Sequence, residues 1–71
     1  MTQLTIGQAI QKVRLDRGLK LSTVARKSGI PSNSIANYEH GRTLPTLMNL
    51  MSLADFYGVS IDELIGRRCK P

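Results

Sequence analysis

The 71-residue chain has no tryptophan, one phenylalanine, two tyrosines, one cysteine, one histidine and five acidic residues. Each shortage closes off a chemistry. A lone cysteine, Cys69, allows neither a disulfide framework nor a thiolate cluster for zinc; it suits a reducing compartment and reads as incidental. With His40 the only imidazole and no acidic pair in a pocket-forming context, metal ligation and nucleophile activation lack their parts. The expectation is therefore no enzyme and no cofactor. Phe56, Tyr38 and Tyr57 are too few to form the stacking platform of a single-strand RNA reader. No apolar run approaches the roughly 18 residues of a membrane span, and the opening MTQLTIGQ lacks the basic and apolar regions of a secretion signal. These absences point to a cytoplasmic protein with no membrane partner.

A chain of this length makes one domain, residues 1–71, with an ordered core expected over about 4–66 and a basic tail at 67–71. It lies near the lower limit of what one apolar core stabilises without disulfides or metal, so self-association would help it. No second domain for a small effector is expected in it. The net charge of +5 is unevenly placed. Residues 1–45 carry Lys12, Arg14, Arg17, Lys20, Arg26, Lys27 and Arg42 against Asp16 and Glu39, whereas residues 46–66 carry only Asp55, Asp62 and Glu63; Arg67, Arg68 and Lys70 follow. The positive field of the first half favours a polyanion there.

Helical periodicity punctuated by Gly and Pro, without repeats or alternation, predicts an all-α chain of five short helices. Thr5 and Gln8 form a capping box for the first, with Leu4 packing near Ala9 as a staple. Ile6, Ala9, Ile10 and Val13 make its buried stripe, and Gly18 follows its end. The second helix spans about Leu21–Ser28. The third spans about Ser32–Glu39, with Pro31 near its first turn, where a missing N–H costs little. Gly41 and Pro45 interrupt the following segment. Thr46 caps a fourth helix reaching about Tyr57, and Ser60 and Glu63 form a second capping box for a single turn through Ile65. On the fourth helix Leu47, Leu50, Leu53, Ala54 and Tyr57 are assigned to the core, with Met51 at the flank. Met48 and Phe56 fall outside that arc and form an adaptable partner surface, read as a dimer contact.

Residues 21–38, LSTVARKSGIPSNSIANY, have the pattern of two helices crossing at a tight turn. Val24 and Ala25 face inward, Gly29 supplies the turn, Ile30 plugs the corner, and Ile35 and Tyr38 return to the core. Ser32, Asn33, Ala36 and Asn37 point outward. A helix face of Ser and Asn suits hydrogen-bonding base edges, because Asn pairs bidentately with adenine in the major groove.

With Gly18-Leu19, Val24-Ala25, Gly29-Ile30, Ile35, Tyr38-Glu39-His40-Gly41-Arg42, Pro45, Leu47, Leu50, Ala54 and the closing GVSIDEL, the chain resembles the phage-repressor and Cro-like family, also called the xenobiotic-response-element type. The resemblance covers about Ile6 to Gly66. It implies a five-helix lambda-repressor-like domain with helices two and three as the helix-turn-helix. It also implies a sequence-specific regulator of transcription that binds double-stranded DNA as a homodimer on a palindromic operator. Carried over by position, Ser32, Asn33 and Asn37 read bases. Lys20, the helix start at Leu21, Arg42, Thr43, Arg14 and His40 are the candidates for phosphate. Arg14 is further expected to pair with Glu39 as a clamp between the first and third helices. Departures are Lys20-Leu21, where the family has Ser or Thr then Gln, together with Pro31 in place of a capping Ser and His40 in place of Asn. The alternative is an antitoxin-like or protein-interaction module, whose Met48 and Phe56 surface holds a protein partner and whose DNA binding is autoregulatory.

Overall fold

The Thr5 hydroxyl accepts a hydrogen bond from the Gln8 N–H at 3.1 Å, and the Gln8 carboxamide accepts one from the Thr5 N–H at 3.0 Å. This reciprocal cap satisfies two N–H groups that the first turn leaves without helical partners. It opens α1 (Ile6–Asp16) in a computed structural model that describes residues 5–66. Leu4, Cys69 and the basic tail lie outside the described residues. Four more helices follow: α2 (Leu21–Ser28), α3 (Ser32–Glu39), α4 (Leu47–Tyr57) and α5 (Ile61–Leu64). Thr46 caps α4 through the Asn49 N–H at 3.2 Å. At α5 the cap is one-sided: the Ser60 hydroxyl accepts from the Glu63 N–H, while the Glu63 carboxylate turns to that hydroxyl rather than back to the Ser60 N–H.

One side chain from each helix, Ile10, Val24, Ile35, Leu53 and Leu64, is completely buried. Burial of this kind is worth about 1.5–3 kcal/mol per side chain. The shared centre also explains why a four-residue helix persists, since Leu64 is its only fully buried residue and ties it to α4 and α1. α3 packs on α1 and α2, whereas α4 packs on α2 and α5. The α1–α3 approach is closest at Gly7, where a Cβ would run into the carbonyl oxygen of Tyr38. Between α2 and α3 the chain turns at Gly29, whose φ of +79° is the left-handed conformation that glycine adopts without strain, and Ile30 is buried beneath the corner.

α4 departs from the expected stripe. Leu47 and Met51, assigned to the core, are 65% and 45% exposed, and Met48 is 71% exposed. Phe56, placed outside the core arc, is half-buried against it and tilts onto the Tyr57 ring at a centroid separation of 5.1 Å. An apolar stripe is buried only where another element covers it. Among the described residues no element covers the outer side of the first two turns of α4, where Leu47, Met48 and Met51 are exposed, as is Leu44 in the loop before it.

Candidate nucleic-acid interface

α3 presents two unlike sides. Ile35, Tyr38 and Glu39 are buried, whereas Ser32 and Asn33 are exposed and Ala36 and Asn37 are half-buried. The side chains of Ser32, Asn33 and Asn37 take up no hydrogen bond with the described residues, so their donors and acceptors remain available. Asn33 and Asn37 are four residues apart and share one face. The pyrrolidine of Pro31 stands at the N-cap without a side-chain bond, which keeps the leading end of the helix free of other groups.

The opposite side is firmly held. Arg14 donates from Nε to Glu39 Oε2 at 2.8 Å and from Nη2 to Glu39 Oε1 at 2.9 Å, and its Nη1 donates to the Leu19 carbonyl at 2.8 Å. The geometry is the bidentate fork of an arginine–carboxylate pair. Glu39's hydrogen bond, opposed by burial, holds the Arg14 guanidinium above its ordinary pKa. All three Arg14 nitrogens bond within the fold, so α1, α3 and the α1–α2 turn share one charged joint. Nearby, Tyr57 is pushed up to about 12, first by burial and then by the negative charge of Glu39, while Arg14 and Arg17 act the other way. The Arg17 guanidinium lies over the Tyr57 ring at 5.4 Å.

The loop after α3 folds back onto it. Arg42 N–H donates to the Asn37 carbonyl at 2.9 Å, and His40 Nδ1 lies 2.8 Å from the Ala36 carbonyl. Arg42 and Thr43 are exposed, with side chains unpaired among the described residues. Lys20 stands exposed at the N-cap of α2 without a side-chain cap, leaving the first N–H groups of that helix open. Leu21 itself is half-buried on the core, so that position offers backbone rather than side chain. Sequence reasoning missed Asn49, whose Nδ2 donates to the Tyr38 hydroxyl at 2.6 Å. The available signal was Tyr38 itself, because a tyrosine assigned to a core needs a partner for its hydroxyl.

Two short helices crossing at Gly29, the second with one face bare and the other anchored, define the class: a helix-turn-helix domain. The helix-turn-helix family model matches residues 10–64, and the chain belongs to that family, the Cro/C1 type to which phage repressors belong. It is 34% identical over 58 residues, 82% of its length and 45% of the relative's, to the HTH-type transcriptional regulator DdrOP3 of Deinococcus deserti. It is 48% identical over 44 residues, 62% of its length and 39% of the relative's, to the cryptic phage CTXphi transcriptional repressor RstR of Vibrio cholerae. The chain thus spans less than half the length of these relatives. The DNA-binding domain of the P22 c2 repressor superposes with a TM-score of 0.82 over 93% of this chain and 87% of that one, at 23% identity, a likeness of fold alone.

Proposed function

We propose that this chain is a sequence-specific double-stranded DNA-binding regulator of transcription that acts as a homodimer on a palindromic operator, with α3 in the major groove. The observation that carries this reading is the two-sided construction of α3: unpaired Ser32, Asn33 and Asn37 outside, and Tyr38 and Glu39 held by side-chain hydrogen bonds inside. In this reading Ser32, Asn33 and Asn37 meet base edges. Lys20, the open N–H groups at the start of α2, Arg42 and Thr43 meet phosphates on either side. Arg14 serves as the joint rather than as a phosphate ligand, since its donors are occupied by Glu39 and Leu19. No metal, cofactor or catalytic step enters, and the setting is the cytoplasm.

The second copy is met by the apolar start of α4, where Met48 is joined by Leu47 and Met51 and by Leu44 of the preceding loop, while Phe56 packs towards the core. That surface also favours one alternative, a module holding a different protein. Co-purification of a stoichiometric partner would support it. The deciding experiment is selection of bound sequences from a random DNA pool. An enriched inverted repeat with half-site centres about one helical turn apart, roughly 34 Å, is expected. Recovery of unenriched DNA would remove the proposal.

A further inference from the structure

We propose that Asn49 is a positioning residue for DNA recognition: its hydrogen bond to Tyr38 clasps the base-reading helix to the start of α4 and fixes the phosphate-facing loop between them. The inference deepens the function proposed above and rests on that reading of α3. α3 packs on α1 and α2, and α4 packs on α2 and α5, so α3 and α4 share little packing of their own. The Asn49–Tyr38 bond, 2.6 Å long and partly buried, crosses that gap directly. Both of its ends are fixed. Tyr38 is buried, its carbonyl lies against Gly7 of α1, and its neighbour Glu39 is held by Arg14. Asn49 is held through its own N–H by the Thr46 hydroxyl at 3.2 Å.

Between the two clasped residues runs the segment that turns from α3 into α4 and carries Arg42 and Thr43. Its backbone is tied to α3 by the Arg42 N–H to Asn37 carbonyl bond and to α4 by the Thr46 cap. The clasp closes the base of this segment, so the part of the loop beyond the Arg42–Asn37 backbone bond is held between α3 and α4 by one side-chain hydrogen bond. Two groups that engage neighbouring parts of a duplex gain from being held at one spacing before binding, because ordering them afterwards costs affinity.

The test compares the 71-residue chain with Tyr38→Phe, Asn49→Ala and the double variant, each first shown to be folded by its thermal transition. Without DNA, amide exchange should accelerate at His40, Gly41 and Arg42, whose N–H groups bond back to α3, in all three variants, while core amides such as those of Ile10 and Leu53 stay protected. With the selected operator and with random DNA of the same length, each single variant should lose about threefold to tenfold in the ratio of specific to random affinity. The double variant should lose no more than the worse single. Unchanged loop exchange, together with a ratio within twofold of the parent chain, would overturn the clasp. So would losses in the two single variants that multiply in the double. A parent chain that prefers no sequence, with loop exchange still faster in the variants, would instead overturn the reading of α3 as a base reader and leave the clasp as a structural fact.

Discussion

Replacing Glu39 with alanine strands a charge. The Arg14 side chain is 11% exposed and that of Glu39 2%, and after the substitution Arg14 retains only its bond to the Leu19 carbonyl. Removing one partner of a buried ion pair costs about 3–5 kcal/mol, because the remaining charge is neither solvated nor compensated. A domain of this size has about 4–11 kcal/mol of stability in all, so Glu39→Ala should lose about a quarter or more of it. The molecule carries its own control. Lys12 and Asp16 form a contact of the same length, 2.8 Å, but their side chains are 63% and 61% exposed, and Asp16→Ala should cost under about 1 kcal/mol. Urea unfolding followed by far-ultraviolet circular dichroism at neutral pH measures both, with transition midpoints compared at a common slope. A third variant, Arg14→Met with Glu39→Leu, removes both charges and should recover most of the loss, since an apolar pair of similar volume is often as stable as the ion pair it replaces. Glu39→Ala and Asp16→Ala with equal costs would refute the argument, showing that water reaches the Arg14–Glu39 joint.

Gly7→Ala should destabilise by about 1–3 kcal/mol through overpacking against the Tyr38 carbonyl. Helix propensity alone predicts a gain of about 1 kcal/mol, so the sign of the change in the thermal midpoint decides. Tyr57 keeps a buried hydroxyl without a partner among the described residues, so Tyr57→Phe should be neutral or stabilising at pH 7. Because the folded state raises this phenol from 10.0 to about 12, the unfolded chain ionises first, so stability is unaffected by this group below pH 10 and falls as pH rises through that window. The parent chain should therefore lose more stability between pH 10 and 12 than Tyr57→Phe, and parallel curves would count against burial as the cause. Asn33→Ala and Asn37→Ala should each weaken operator binding by about 1–3 kcal/mol with a relaxed preference at particular bases, and equal losses on random DNA would rule out base reading. Arg42→Ala should weaken all DNA binding and reduce the salt slope by about one unit, and an unchanged slope would take Arg42 off the phosphate backbone.

Local signals were legible where one residue decides the outcome. Thr5, Thr46 and Ser60 each cap the helix that follows, and Gly29 turns the chain between α2 and α3 through a positive φ, because a cap or a left-handed turn depends on neighbours within a few positions. The amide face of α3 was legible for a related reason. Periodicity places Asn33 and Asn37 away from Ile35 and Tyr38 in any helix that buries the latter pair.

α4 resisted because its sequence is apolar around most of its circumference. Periodicity then names several stripes and cannot rank them. Leu47 lies on the stripe of Leu50 and Leu53 and is still exposed, while Phe56 lies off it and is half-buried. What ranks the stripes is the position of α2 and α5, a tertiary fact with no trace inside the α4 window. The Asn49–Tyr38 bond was hidden by the same gap. Asn49 is a polar residue in an apolar run, and its amide turns inward to a hydroxyl eleven residues earlier in the chain. A buried tyrosine hydroxyl commonly takes a partner, as that of Tyr38 does and, among the described residues, that of Tyr57 does not, but only the crossing of two helices that scarcely pack together shows which residue supplies it. Of the groups that face DNA in this reading, Ser32, Asn33 and Asn37 are visible from local pattern, whereas Lys20, Arg42 and Thr43 follow from the family resemblance. The Arg14–Glu39 pair likewise follows from the resemblance, while the Tyr38–Asn49 bond depends on where α3 and α4 come to rest.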